Sequence, residues 1–581
     1  MAMADSSQSS AAEDRRDADA ADAQRRQGES GQAQEQGQTH QELLPHRLAP
    51  DPVDQGESGP QAEGGDAGPD QTADQHDYHT QSMDVTDRLQ SPASEHCRVM
   101  TARVRPYLFY GATQALCSTC LRVVQAKEII QDNDVFLLKH CPIHGHQRVL
   151  LADDAGYWRM ARERYLKPPE QVAAPNTRLE YGCPYDCGIC PEHEQHGCVA
   201  VLEVTDHCNL RCPTCYAASG PERLTHRPMA VIERMLDRIV ANEVEPDIVQ
   251  ISGGEPTTHP EFFAILETCR RRPIRHLMLN TNGLRIANED GFAERLVKYA
   301  PAFEIYLQFD SQRKAPLLAL RGADLREVRR KALEKLNALN LSTTLVVTVR
   351  QGLNDDELGT IIDFAAAQRC VRGVTIQPVQ EAGRYDGHDT RTDRLTLTAV
   401  RRKILEQTSL FTPADLIPVP CHPDCLAMAY ALKIDGKVMP LTGKIDPQVL
   451  LDHGRNTIIY EGDANIRAEV VKAFTTAHSP SSAAGAIHRL LCCLPGFAAQ
   501  APLKYDQIFR VIIMRFLDRH DLDLRSVRKS CVHIAHPDGK RIMPFDTFNI
   551  FYRDRLEADV LAPLRQETAA AWRQPAAPTP A

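Results

Sequence analysis

The sequence predicts an α/β protein built around a partial barrel of six βα units. Apolar, strand-like runs recur at 199–205, 247–251, 275–280, 303–309, 342–349 and 372–377. Helical patterns separate them, for example 228–242, 261–272 and 325–337. Polar motifs follow several of the strands directly. Since parallel βα units place function at the carboxyl ends of their strands, the chemistry is expected at that edge.

Composition divides the 581-residue chain into further regions. Residues 1–95 hold 20 acidic residues against 6 basic ones, which predicts a disordered acidic tail. The predicted regions that follow are a zinc-ribbon or rubredoxin-like knuckle at 96–175, an auxiliary [4Fe–4S] segment at 176–198, the barrel at 199–400, a C-terminal auxiliary-cluster domain at 401–565 and a disordered tail at 566–581.

Charge and cysteine content restrict the partners and the cellular compartment that are expected. The net charge of −10 is concentrated in the acidic tail, and no dense basic stripe is present, so nucleic acid is not expected as a partner. Eighteen cysteines without a signal peptide indicate metal ligands in a reducing compartment, so a cytoplasmic location is expected. No apolar run is long enough for a membrane span, although peripheral membrane contact stays open.

The knuckle carries two ligand pairs joined by a predicted hairpin at 127–139. The pairs are Cys117 with Cys120 and Cys141 with His144, about twenty residues apart. Three thiolates and one imidazole suit tetrahedral Zn²⁺, with mononuclear iron as the alternative.

A four-cysteine motif precedes the first barrel strand. It comprises Cys183, Cys187, Cys190 and Cys198. Four thiolates saturate a [4Fe–4S] cluster, which predicts an auxiliary cluster without an open iron; zinc is the alternative.

A second cysteine set follows that strand at the same C-x3-C-x2-C spacing but has only three members. Cys208, Cys212 and Cys215 leave one metal position open for a substrate. About forty residues later, the sequence 252–256 (Ser-Gly-Gly-Glu-Pro) follows the next strand.

The two motifs together resemble those of the radical S-adenosylmethionine (radical SAM) superfamily. The resemblance implies that the three cysteines hold a catalytic [4Fe–4S] cluster and that Gly253, Gly254 and Glu255 bind SAM. It further implies SAM contacts from polar groups at later strand ends, for which the candidates are Asn282, Asp310 and Gln377. A low-potential donor such as flavodoxin or ferredoxin would reduce the cluster. The implied chemistry is cleavage of SAM to a 5′-deoxyadenosyl radical that abstracts hydrogen from an unactivated C–H bond.

Beyond residue 400, Cys421, Cys425 and Cys531 are candidate ligands of a second auxiliary cluster. The candidates for its fourth ligand are Cys492, Cys493, Asp546 and His422. A core helix is predicted at 506–521. Cys269 and Cys370 have no ligand partners nearby in sequence, which favours buried core thiols.

The whole set of motifs resembles the archaeal tetraether lipid synthases and the class D radical SAM methyltransferases. The chain differs from the family pattern at Thr214, where an aromatic residue is usual, and at Asp546, where cysteine is frequent. The resemblance implies carbon–carbon bond formation on a lipid or a pterin, by chain coupling or methyl transfer. The alternatives are a peptide-modifying radical SAM enzyme and a non-catalytic iron–sulfur or zinc protein for electron transfer or scaffolding.

Overall fold

The computed structural model describes residues 105–573 except 171, 173, 391, 435–436, 453–456, 459 and 461–506. The strands are β1 Leu108–Leu116, β2 Val123–Gln131, β3 Asp134–Cys141, β4 Gly145–Ala152, β5 Val199–Thr205, β6 Thr214–Cys215, β7 Ile248–Gly253, β8 His276–Thr281, β9 Phe303–Gln308, β10 Thr343–Val349, β11 Val371–Pro378, β12 Arg384–Tyr385, β13 Ile417–Pro418, β14 Leu426–Ile434, β15 Lys437–Pro440, β16 Ile508–Met514, β17 Val532–Ala535 and β18 Ile542–Pro544. The α-helices are α1 Ala155–Arg164, α2 Met229–Glu243, α3 Phe262–Arg270, α4 Leu284–Asn288, α5 Phe292–Val297, α6 Lys314–Arg321, α7 Arg326–Leu339, α8 Leu358–Ala367, α9 Leu397–Gln407, α10 Pro447–Leu451, α11 Leu524–Val527, α12 Phe545–Thr547 and α13 Ala562–Arg573.

The first four strands form an antiparallel sheet in the order β1-β2-β3-β4. Its central hairpin turns at Asp132 and Asn133, whose φ values of 53° and 70° are those of a two-residue turn that matches strand twist. This is the hairpin expected between the two ligand pairs of the knuckle.

The barrel contains the six predicted strands, β5, β7, β8, β9, β10 and β11, all parallel to their neighbours. Strand β5 is buried along its whole length, which is typical of a parallel sheet covered on both faces. Helices α2, α3 and α7 follow the predicted helical patterns closely. The sheet order ends at β13 and β18, so among the described strands the barrel is open rather than closed.

The C-terminal part of the chain extends both edges of this sheet. Strand β16 pairs in parallel with β11, and β17 pairs in parallel with β5. The helix predicted at 506–521 is therefore wrong, because Ile508–Met514 is a strand. The run is rich in β-branched residues and lies between two strands, so tertiary pairing outweighs its helix-like spacing. Residues 401–565 supply walls to the barrel instead of standing apart from it.

Near the end of the described chain, α13 occupies part of the tail predicted to be disordered, so that prediction is wrong for 566–573. The predicted acidic tail 1–95 and the ligand candidates Cys492 and Cys493 lie outside the described residues. Within the described ranges, no helix combines the length and the apolar character needed to cross a bilayer.

Candidate active site and metal centres

One large cavity opens at the carboxyl ends of the barrel strands. It holds about 1480 Å³, counting the solvent at its mouth. The sulfur-bearing side chains of Cys208, Cys212 and Cys215 line it, on the loop that follows β5. Burial raises the pKa of the Cys208 thiol to about 12, so without a metal this thiol is protonated at neutral pH. A bound metal would be needed to make it a thiolate.

The Gly-Gly-Glu segment is joined directly to the start of this cysteine loop. The Gly254 N–H donates to the Thr205 carbonyl (2.7 Å), and the Glu255 N–H donates to the His207 carbonyl (2.9 Å). A Cβ on Gly253 would lie 2.3 Å from the Thr205 oxygen, and one on Gly254 would lie 2.0 Å from the His207 oxygen. Glycine is required at both positions because two backbones meet there.

The Glu255 carboxylate is buried and held by four donors. It accepts from the hydroxyls of Thr257 (2.6 Å) and Thr281 (2.7 Å) and from the backbone N–H groups of Thr257 (3.2 Å) and Asn282 (2.7 Å). Burial raises its pKa, and these donors oppose that shift. The result is a fixed acceptor at the cavity wall.

Two arginines that sequence analysis did not identify also line the cavity. Arg321 ends α6, and Arg329 lies on α7 with its side chain almost entirely buried. The Arg329 Nη1 donates to the Asn282 carbonyl, whereas its Nε and Nη2 have no hydrogen-bond partner among the described residues. Burial lowers the pKa of Arg329 to about 10. No local sequence pattern could have indicated these residues, because they point inward from helices.

A chain of hydrogen bonds crosses the barrel at the level of the cysteine loop. It runs from the Tyr216 hydroxyl to Ser252 Oγ (3.0 Å), to Asn280 Nδ2 (2.9 Å), from Asn280 Oδ1 to Gln308 Nε2 (2.8 Å), and from Gln308 Oε1 to Arg321 Nη2 (2.8 Å). These bonds fix the orientation of four side chains that line the cavity, those of Tyr216, Asn280, Gln308 and Arg321.

Family comparisons agree with this geometry. Residues 202–365 match the family model described as the radical SAM superfamily, and residues 109–153 match the model of the HMPTM N-terminal zinc ribbon domain. The chain is 30% identical over 494 residues to a 7,8-dihydro-6-hydroxymethylpterin dimethyltransferase of Methanocaldococcus jannaschii, covering 78% of this chain and 96% of that relative. The chain belongs to the radical SAM superfamily. It is a radical SAM enzyme of the methyltransferase type.

Two other similar proteins cover a smaller share of the chain. A GTP 3′,8-cyclase of Alkaliphilus metalliredigens is 31% identical over 31% of this chain and 57% of its own length. A solved radical SAM methyltransferase structure from Sphaerobacter thermophilus aligns with 12% identity and a TM-score of 0.27, over 52% of this chain and 75% of that chain.

Radical SAM chemistry implies SAM and a [4Fe–4S] cluster. Gly253, Gly254, Glu255, Asn282 and Gln377 all line the cavity.

Asp310 is not among the residues that line the cavity. Its buried carboxylate accepts from Arg321 Nε (2.7 Å) and Nη2 (2.5 Å) and from the Thr348 N–H (3.2 Å). The prediction of a direct SAM contact at Asp310 is therefore corrected: the carboxylate at this strand end binds Arg321, which itself lines the cavity.

The knuckle already has the geometry of a tetrahedral metal site. The Cys120 and Cys141 sulfurs lie 3.9 Å apart, and His144 Nδ1 lies 3.6 Å from the Cys117 sulfur and 3.5 Å from the Cys141 sulfur. Bonds of zinc to sulfur and nitrogen predict ~3.8 Å between sulfurs and ~3.5 Å between sulfur and nitrogen. Although burial opposes it, backbone N–H groups of Cys120 and Thr119 lower the pKa of Cys117 to about 6.

The four-cysteine motif before the barrel is divided between two places. Cys183, Cys187 and Cys190 line a small internal cavity together with His193. Cys198 lies elsewhere, with its sulfur within 4.8 Å of those of Cys421 and Cys531. The expectation that Cys198 completes the first set is therefore corrected. The reason is topological, because β17 pairs with β5 and brings Cys531 beside Cys198 at the start of both strands.

The C-terminal group of candidate ligands therefore comprises Cys198, Cys421 and Cys531, all buried, with a distance of 3.6 Å between the last two sulfurs. Cys425 is buried nearby but is outside this group of three. Of the fourth-ligand candidates, the two that the structure describes are engaged elsewhere. Asp546 accepts from the Leu517 N–H (2.7 Å) and the Ser530 hydroxyl (2.9 Å), and His422 Nε2 contacts the Ser526 carbonyl (2.7 Å). Cys269 and Cys370 are buried core thiols, as expected.

Proposed function

We propose that this enzyme methylates a carbon atom of a pterin by radical SAM chemistry. A carbon–carbon bond would form while the S–CH3 bond of a second SAM, the methyl donor, is broken, and the external reductant would supply the second electron. The observation that carries the proposal is the cavity itself, which is shared by the cysteine loop, the Gly-Gly-Glu segment and a set of unsatisfied polar atoms. The pterin named for the M. jannaschii relative supports the substrate class.

In this proposal Cys208, Cys212 and Cys215 hold the [4Fe–4S] cluster and leave one iron open for SAM. When bound and reduced by one electron, the cluster and SAM supply methionine and a 5′-deoxyadenosyl radical that removes a hydrogen atom from the substrate. The fit rests on three thiols around one space and on the glycine pair, whose missing side chains let the Gly-Gly-Glu backbone lie directly against the start of the cysteine loop. Auxiliary clusters at the other two cysteine sets and zinc in the knuckle belong to the same proposal.

Several residues would orient SAM. The backbone at Gly253 and Gly254 and the fixed Glu255 carboxylate suit its ammonium group. Arg329 suits its carboxylate, because Nε and Nη2 are buried without a partner and the nearest carboxylate oxygen, on Asp310, is 3.9 Å away. A buried guanidinium with two unused donors is stabilised when an anionic group binds to it. Asp310 would act through Arg321 by holding its orientation.

The unsatisfied atoms favour a pterin over an alkyl chain. Gln380, Thr214 and Ser219 line the cavity. Their Oε1, Oγ1 and Oγ atoms are buried and have no hydrogen-bond partner among the described residues. A pterin ring offers N–H donors and ring-nitrogen acceptors to such groups, whereas an alkyl chain offers neither and would leave the cost of burying them in place.

The base of the barrel supports the same choice. The fully buried Glu304 accepts from Arg510 Nη2 (3.0 Å) and contacts His276 Nε2 (3.2 Å) among the amino-terminal ends of the strands. A charged group of this kind closes the barrel interior to a long apolar chain. Apolar wall residues above it, including Val201, Met278 and Ile512, would exclude water from the reacting carbon.

The test uses full-length protein, reconstituted without oxygen and incubated with reductant, [methyl-¹³C]SAM and 7,8-dihydro-6-hydroxymethylpterin. We expect 5′-deoxyadenosine and a methylated pterin carrying the label. Cys208→Ala should abolish both products, and Cys269→Ala, which removes a buried core thiol outside the site, should retain them.

Three results would contradict the proposal in different ways. An unlabelled methylated pterin would show that SAM is not the methyl donor. Product formation from a lipid or a peptide in parallel incubations, with none from the pterin, would overturn the substrate class. Wild-type activity in Cys208→Ala would overturn the assignment of the catalytic cysteines.

A further inference from the structure

The segment after the last βα strand contacts both the cavity and the cysteine loop. We call residues 378–385 the clasp loop. Its residues Pro378, Val379, Gln380 and Ala382 line the cavity. Its end, Arg384–Tyr385, pairs antiparallel with Thr214–Cys215. This loop therefore forms a wall of the site and a partner strand for the third cysteine.

Two further contacts fasten the clasp loop to the cysteine loop. Arg384 Nε donates to the Cys212 carbonyl (2.6 Å), and its Nη2 donates to the Ser219 carbonyl (2.6 Å). Gly383 packs so closely that a Cβ there would lie 2.3 Å from the Tyr216 carbonyl oxygen. A displacement of the clasp loop would therefore move the backbone on which Cys212 and Cys215 lie.

Glu381 anchors the clasp loop from outside the cavity. Its Oε2 lies 2.6 Å from His520 Nε2, and its Oε1 accepts from the Tyr385 hydroxyl (3.0 Å) and pairs with Arg519 Nε (3.1 Å). Its backbone N–H donates to Asp518 Oδ2 (3.1 Å). Glu381, whose carboxylate is mostly buried, thus joins the clasp loop to residues 518–520 through both its side chain and its main chain.

Residues 518–523 are in turn held by the zinc-ribbon-like sheet. The buried Lys139 Nζ donates to the His520 carbonyl (2.8 Å), the Leu116 carbonyl (2.7 Å) and Ser118 Oγ (2.8 Å). The Leu116 N–H also donates to the Leu522 carbonyl (3.2 Å). Ser118 lies between two of the metal-ligand candidates of the knuckle. A continuous series of hydrogen bonds therefore leads from the knuckle to Glu381.

We propose that Glu381 is a positioning residue for the catalytic cysteine loop, which it fixes through the clasp loop against a support supplied by the knuckle. The inference rests on the proposed assignment of Cys208, Cys212 and Cys215 as cluster ligands. It assigns a role to the knuckle in SAM binding that does not require its metal to exchange electrons.

The test compares Glu381→Ala with Glu267→Ala in full-length, reconstituted protein. Glu267 is the matched control, because it also accepts from a cation, Lys298 (2.6 Å), and a tyrosine hydroxyl, Tyr299 (2.9 Å), but away from the cavity. The readouts are iron and zinc content, the Kd of SAM, and the change that SAM causes in the EPR spectrum of the reduced cluster.

We expect Glu381→Ala to keep its iron and zinc, to raise the Kd of SAM at least tenfold and to weaken the SAM-induced EPR change, while Glu267→Ala matches wild type. Should Glu381→Ala fail to fold, the isosteric Glu381→Gln carries the same test, since it removes the charge that holds Arg519. Lys139→Met should also raise the Kd of SAM, because it removes the hydrogen bond from Lys139 to the His520 carbonyl.

Two outcomes separate this inference from the proposed function. A wild-type protein whose loaded cluster shows no EPR response to SAM overturns the cluster assignment, and the positioning role with it. A wild-type response that persists in the Glu381 variant, with SAM binding within twofold, overturns the positioning role alone.

Discussion

Gly254→Ala should disable SAM cleavage while leaving the fold intact. The added Cβ would lie 2.0 Å from the His207 carbonyl oxygen, and contacts under 3.0 Å are essentially never seen. Because both sides are backbone, the Gly-Gly-Glu segment must retreat by about 1 Å, which also breaks the bond from the Glu255 N–H to His207 (2.9 Å). A misplacement of about 1 Å near the reacting groups costs on the order of 100-fold in rate, or about 2.7 kcal/mol in activation free energy.

The assay is the initial rate of 5′-deoxyadenosine formation with saturating SAM and excess reductant, in protein matched for iron content. Gly111→Ala is the control, because a Cβ there meets only a Glu128 side-chain oxygen at 3.6 Å, an ordinary contact. A Gly254→Ala rate within threefold of wild type would refute the argument that close backbone approach positions SAM.

Three other predictions follow from the geometry. His144→Ala should lower bound zinc by one equivalent by elemental analysis without changing iron content; unchanged zinc would contradict the Cys3His site. Arg329→Gln should weaken SAM binding by roughly tenfold or more in calorimetry, since a buried charged donor is lost. Arg326→Gln, which loses only an exposed ion pair on the same helix, should bind SAM as wild type does. Equal SAM affinities of the two variants would contradict a contact between Arg329 and SAM. Arg510→Met should lower the free energy of unfolding by about 3–5 kcal/mol, because it removes the cation that compensates the buried Glu304 carboxylate. Glu304→Gln in the same chain should recover part of that loss, and denaturant unfolding that shows no recovery would argue against coupling between the two side chains.

Local sequence patterns were enough to predict several elements of the fold and of the candidate site. The six barrel strands could be predicted because strands buried on both faces need nearly continuous apolar runs. The three-cysteine loop and the glycine pair could be predicted because metal ligation and close backbone contact each admit few residue types. The knuckle followed from two ligand pairs joined by a hairpin turn.

The tertiary structure decided what depends on contacts between distant segments. Ile508–Met514 is a strand because it pairs with β11, a constraint that its own spacing of apolar residues does not contain. Cys198 lies with Cys421 and Cys531 because β17 pairs beside β5, and the spacing of cysteines along the chain contains no information about that pairing. Asp310 holds Arg321 instead of lining the cavity, and Glu381 joins the clasp loop to residues 518–520. The partner of a side chain depends on the path of the whole backbone. Residue type alone could therefore mark these side chains as candidates, but it could not identify the groups that they contact.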